Sequence, residues 1–117
     1  MIRLFPVLLL AACAAKAPMS PAVVAKQLSG TWVDTGGATA SFDGKGKNLV
    51  CTSVVDYDGE EFVITESGFK DGQFAWTYSV PSTGYVVTHT VTSVEDGVFT
   101  AHWANVKASG DETFTKQ

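Results

Sequence analysis

The pattern of apolar and polar positions changes character at Gly30. Up to that point the local signals are helical. Ser20 suits an N-cap, Pro21 suits the first helical position and Gly30 suits a stop, which predicts one short helix over 21–28. After Gly30 helical periodicity is absent and alternation takes over. In Phe74-Ala75-Trp76-Thr77-Tyr78-Ser79-Val80 the even positions are large and the odd ones small, as in a strand with one buried face. Asp-Gly recurs at Asp43-Gly44, Asp58-Gly59, Asp71-Gly72 and Asp96-Gly97, and Gly36-Gly37 and Ser82-Thr83-Gly84 supply two further turns. Eight strands fit between them: 31–35, 38–43, 48–57, 61–66, 73–80, 85–94, 98–106 and 111–116. The connections are short, so sequence neighbours are expected to pair antiparallel.

Parity assigns the faces. A two-residue turn at Asp96-Gly97 pairs Val91 with His102, and an even-length loop to Tyr85 places Trp76 by His89 and Tyr78 by Val87. One face then carries Phe74, Trp76, Tyr78 and Val80, with Val87, His89 and Val91, and with His102, Ala104 and Val106. The other carries Thr77, Ser79, Thr88, Thr90, Thr92 and Asn105, with Phe99 and Trp103 among them. The first face reads as the interior and the second as a solvated threonine ladder. In the earlier strands, Leu49, Cys51, Val55, Phe62 and Ile64 share a face, and joining it to Phe74 requires a bulge near Gly68.

Eight short strands with one apolar face predict an all-β domain, a small antiparallel up-and-down β-barrel, with a sandwich as the other solution. The helix over 21–28 would cover an open end. A barrel of eight strands is either filled by its own side chains or holds one small ligand.

The N-terminus follows a different rule. Arg3, the apolar run Leu4 to Leu10 and the small residues after it form an export signal too short to span a bilayer. Leu10-Ala11-Ala12-Cys13 resembles the lipobox of bacterial lipoproteins. That resemblance implies a signal peptide over 1–12, a diacylglycerol on Cys13, a lipidated tether and short helix over 13–29, and a barrel domain over 30–117. Two or more acyl chains are needed for stable anchoring. Ala14 after the cysteine implies an outer-membrane address facing the periplasm. An ordinary secretory signal cut after Ala15-Lys16-Ala17 is the other reading, and it makes the protein soluble.

Charge narrows the partners. Seven Lys or Arg stand against twelve Asp or Glu after Cys13, leaving about five net negative charges and no basic stripe. Nucleic-acid phosphates are excluded as a partner on that ground.

Gly30-Thr31-Trp32 is similar to the opening of lipocalins and avidins, the small calycin barrels. Asp111-Glu112-Thr113-Phe114-Thr115-Lys116 resembles the last strand of streptavidin-type proteins. The resemblance implies a calycin-like barrel in which Trp32 packs across the closed end. It does not bring biotin contacts: Asp34 and Ala38 stand where the avidin pattern has asparagine and serine, and Glu112 where it has aspartate.

The candidate chemistry is sparse. His89 and His102 are the only histidines and are expected to face the same way on adjacent strands. Two histidines do not complete a metal site, which needs three or four convergent ligands. Beside Trp76 and Tyr78 they suit the polar lining of a ligand cavity. Cys51 reads as a small hydrophobe. Asp56, Asp58, Glu60 and Glu61 form an acidic turn without EF-hand spacing. No nucleophile–base set or phosphate loop is present, so neither an enzyme nor a cofactor is expected. Two readings remain: a lipid-anchored barrel holding a small apolar or amphipathic ligand, or a solid barrel acting through protein–protein contacts, for example an inhibitor, with Phe99 and Trp103 as its apolar patch.

Overall fold

The computed structural model describes residues 20–117. The leader, Cys13 and the start of the tether lie outside the described residues. Helix α1 (Pro21–Leu28) precedes eight strands: β1 (Gly30–Asp34), β2 (Thr39–Lys45), β3 (Asn48–Val55), β4 (Val63–Lys70), β5 (Gln73–Ser79), β6 (Val86–Glu95), β7 (Val98–Ala104) and β8 (Ser109–Lys116). The sheet order is β3-β2-β1-β8-β7-β6-β5-β4, antiparallel throughout. The result is the expected up-and-down barrel, nearly closed. The first and last strands pair with each other over 32–34 and 114–116, Val33 opposite Thr115. The opening lies mid-chain, between β3 and β4. There a single bridge at Val55 and Glu61, the Phe62 N–H to Val54 carbonyl bond (2.9 Å) and the Cys51 N–H to Ser67 Oγ bond (3.2 Å) span the gap.

Three hairpins carry one bulge each, and the extra residue is a threonine every time: Thr52, Thr65 and Thr92. Each hydroxyl donates to a carbonyl on the partner strand, of Ser41 (3.2 Å), Thr77 (3.3 Å) and Thr100 (3.1 Å) respectively. A bulge leaves ladder groups unpaired, and these hydroxyls supply a local substitute. It also flips which parity faces inward. In β3 the buried set runs Leu49, Cys51 and then Val54, not Val55. In β6 it runs Val87, His89, Val91 and then the half-buried Val94.

That switch corrects the face assignment in β7. Val91 pairs with Ala101, not His102, and His89 with Trp103. Phe99 and Ala101 are therefore fully buried, while His102 faces out and Val106 is exposed. Trp103 is half-buried against the core, over Gly110, and not on the outer wall. The pairing of Trp76 with His89 and of Tyr78 with Val87 is as expected. The bulge that joins β4 to the Phe74 face lies at Thr65, upstream of Gly68.

The turns show why Asp-Gly is an ambiguous signal. At Asp71-Gly72 both residues take positive φ, 54° and 81°. Asp43-Gly44, by contrast, lies inside β2, and the turn is Gly46-Lys47. Gly44 is there for packing: a Cβ would overlap the Ala25 carbonyl of α1. Asp58-Gly59 sits in a loop over 56–62 instead of a tight hairpin.

Helix α1 occupies 21–28 as expected, although the Ser20 side chain makes no capping bond. It buries Val24, Ala25 and Leu28 in the barrel core, so the helix packs as part of the barrel body. Trp32 seals this closed end. Its Nε1 donates to the Leu28 carbonyl at 2.9 Å, its ring meets Phe99 edge-on at 4.9 Å, and Lys116 Nζ lies 5.0 Å from the ring. Above it, Phe42, Phe74, Trp76, Phe99 and Phe114 fill the middle of the barrel with mutual ring contacts. Among the described residues no helix is long and apolar enough to cross a membrane.

Candidate functional site

The opposite, open end is framed by four loops, over 35–38, 56–62, 80–85 and 105–108. Just beneath it the apolar filling gives way to polar groups. Four rings form a stack leading to the mouth. Trp76 lies parallel to His89 (4.9 Å, 2°), His89 stacks on Tyr78 (5.7 Å, 26°), and Tyr78 stacks on Phe62 (4.8 Å, 17°). Strand alternation places Trp76 and Tyr78 two residues apart on the inward side of β5, with His89 opposite Trp76 on β6.

His89 is the only buried polar residue of the described body, 4% exposed. Its Nε2 lies 2.7 Å from Glu112 Oε1. The hydrogen bond from His89 is the main cause holding the Glu112 carboxyl below the usual range, against the opposing push of its own burial. An ionised carboxylate only accepts, so Nε2 carries the proton of this bond. Nδ1 is left buried without a partner.

Asp34 completes the group. Its Oδ1 accepts from the Gly36 N–H (2.8 Å) and the Ala38 N–H (3.0 Å), which fixes the β1–β2 turn. Its carboxyl also lies close enough to Glu112 for the two groups to influence each other's charge. Burial first, with the Glu112 charge behind it, raises Asp34 above the usual carboxylate range. Asp34 and Glu112 thus titrate apart, with the negative charge favoured on Glu112 beside the imidazole. Burial raises the Tyr78 hydroxyl above its ordinary value, and the Glu112 and Asp34 charges raise it further.

The interior has almost no free space. The cavity lined by Asp34, Ala38, Phe62, Trp76, Tyr78 and His89 has a volume of about 20 Å³, room for one water-sized group. Of the residues anticipated for a ligand lining, Trp76, Tyr78 and His89 come together here and His102 does not. His102 stands outside with its Nδ1 3.2 Å from Asp111 Oδ1, an exposed pair of little energetic weight. The Asp34–Glu112 connection was not anticipated. Parity holds the signal: Phe114 faces inward, so Glu112 does too, and Asp34 lies across from Phe114.

Two other groups contribute no reactive chemistry. Burial pushes the Cys51 thiol up to about 12, so it stays protonated and unreactive near neutral pH. Oxygens of Asp56, Asp58 and Glu60 gather within 4.8 Å of one another, but Glu60 accepts from both the N–H and the hydroxyl of Ser82, at 2.8 and 2.9 Å. That carboxylate latches two loops together.

No family model, no curated protein and no solved structure matches the chain.

Proposed function

We propose that this is a cell-envelope lipoprotein, anchored through a lipid on Cys13, whose barrel is a solid body that acts through contacts with another protein. The observation that carries the reading is the filled interior. Aromatic rings occupy the barrel from Trp32 to Phe62, and the cavity lined by Tyr78 and His89 at the open end is about 20 Å³. Ligand pockets for small molecules are typically several hundred Å³. The lipobox-like Leu10-Ala11-Ala12-Cys13 supports the anchor, and the outer-membrane address rests on Ala14.

A small-ligand reading keeps one observation in its favour, the unpartnered Nδ1 of His89. Native mass spectrometry of the full-length protein, extracted from its membrane in mild detergent, separates the two. The expected result is a chain beginning at Cys13, carrying acyl mass and no non-covalent adduct. A reproducible adduct, released on denaturation and reduced by Trp76→Ala, would establish the ligand carrier instead. A chain without acyl mass, cleaved after Ala17, would remove the anchor. Replacement of Cys13 by serine is expected to release the protein from the membrane fraction.

A further inference from the structure

The four open-end loops form a pre-assembled face. A Cβ placed on Gly37 would lie 3.4 Å from the Tyr57 Cβ, so the 35–38 and 56–62 loops are in contact. Glu60 binds Ser82 twice, joining the 56–62 and 80–85 loops. Lys107 Nζ lies 5.8 Å from the Tyr85 ring centre, joining the 80–85 and 105–108 loops. Loops already tied together lose less freedom when a partner binds.

This face also collects apolar side chains. Tyr57 is 75% exposed and Val106 89%, and Val63, Tyr85 and Val86 are exposed at the same end. Val63 and Val86 flank Ser79 on adjoining strands of the rim. Single exposed apolar residues mean little, but a set gathered at one end, rimmed by polar groups, marks an interaction surface.

Charge tells what it meets. Asp34, Asp56, Asp58, Glu60 and Glu61 lie at the open end, where Lys107 is the one lysine or arginine among the described residues. Lys26, Lys45, Lys47, Lys70 and Lys116 all lie at the closed end, beside α1 or on its neighbouring turns. The chain from Cys13 enters at Ser20, also at the closed end, so an anchor there leaves the acidic face pointing away from the membrane.

We propose that the open-end loop face docks a protein through a cationic surface of that protein. Apolar contact at Tyr57 and Val106 on the loops and at Val63 on the rim adds area, and the carboxylates among them supply orientation and attraction. The inference rests on the solid-barrel reading and deepens it by assigning the face and the partner's charge.

The test places a photo-crosslinking amino acid in the full-length protein in its own envelope, at Tyr57, at Val106 or, as controls, at Val23 and Val50. The expected result is protein cross-linking from Tyr57 and Val106 only, to a peptide rich in Lys and Arg. The yield should fall about tenfold when Asp58→Asn and Glu61→Lys are combined, since charges at a rim mainly set the association rate. Asn keeps the acceptor for the Glu60 N–H. Glu61→Lys alone, at an exposed position, serves if the pair unfolds the domain. Cross-links from Val23 or Val50 alone would overturn the face and leave the protein-contact reading standing. No protein adduct at any position would defeat that reading itself. A yield unchanged by the charge variants would overturn the cationic partner. A yield abolished by a calcium chelator would also overturn it, reassigning Asp56, Asp58 and Glu60 to a divalent cation.

Discussion

The two ends of the barrel solve the same problem with different chemistry. At the closed end, Trp32 and Phe99 are buried together with Leu28 of α1, and the Trp32 Nε1 donor is satisfied by the Leu28 carbonyl. At the open end, His89 is equally buried but leans on a chain of titratable groups, Glu112 and Asp34, and keeps an unpartnered nitrogen. Apolar burial stabilises at any pH, whereas a carboxylate–imidazole chain does so only in particular protonation states. Stability is therefore expected to reside at the closed end, and pH sensitivity at the open end.

The largest effect should come from the closed end. Trp32→Ala is expected to cost about 3–5 kcal/mol, because the site loses a fully buried ring and cannot collapse around α1. Trp32→Phe keeps most of the apolar body and orphans the Leu28 carbonyl, at about 1–3 kcal/mol. Urea unfolding at neutral pH measures both. A loss below about 1 kcal/mol for the alanine variant would show that α1 is not part of the cooperative core.

At the open end, Glu112→Ala leaves the His89 Nε2–H buried without an acceptor, an expected loss of about 1–3 kcal/mol. Glu112→Gln restores an acceptor and should cost less. The loss should also depend on pH. The folded carboxyl lies below its ordinary value of 4.5, so its contribution is complete above that pH and disappears as pH falls through the folded value. The gap between the protein and Glu112→Ala should narrow below pH 4.5. A gap that stays constant from pH 7 down to pH 3 would mean that the carboxylate charge does not support His89. Trp32→Ala should show no such convergence.

How much of this could be read from the sequence follows from where the period-2 rule holds. In β5 the alternation runs unbroken from Phe74 to Tyr78, and both the burial and the pairing with β6 follow from it. In β3, β4 and β6 a threonine bulge shifts the count by one: Phe62 and Ile64 still pack against the core, but Val55 and the β7 faces are reversed. That is why Phe99 and Trp103 were expected outside and His102 inside. Nothing local separates Thr92 from Thr88 or Thr90; the bulge is chosen by the need to turn large apolar residues of the strand inward on both sides of a bend. For the same reason His89 was recognisable as a site residue, while Glu112 was visible only through a resemblance that pointed to a different ligand. The eight strands, their antiparallel order and the helix all follow from turn residues and short connections, which no bulge disturbs.

The bulges can be tested directly. Thr92→Val keeps the shape and β-branching of the side chain and removes the bond to the Thr100 carbonyl. The residue is exposed, so water can take over part of the lost bond, and a loss of about 0.5–1.5 kcal/mol is expected. The same change at Thr88, which bonds only the Thr77 hydroxyl on the outer wall, should cost less. Equal losses at the two positions would mean that the hydroxyl at the bulge has no special part in holding the register. Amide hydrogen exchange along β7 should quicken in Thr92→Val and not in Thr88→Val.

The smallest expected effect has the opposite sign. The fold raises the Asp34 carboxyl above its ordinary 3.8, so the protonated form is the one that the folded state favours. Its contribution is favourable below 3.8 and turns into a cost as pH rises through the folded value. Asparagine would keep an oxygen for the Gly36 and Ala38 N–H groups. Its amide would donate to Glu112 without having to hold a proton. Asp34→Asn is therefore expected to raise the unfolding temperature slightly at neutral pH, with the gain fading as pH approaches 3.8. It should do so while leaving the Glu112 acid limb in place, because the His89 bond remains. A destabilised Asp34→Asn protein at neutral pH would show that the second charge is held there by something other than its two backbone donors and Glu112. A stabilised one would make the open end more like the closed end, and would place the cost of the polar chain on its outermost carboxyl.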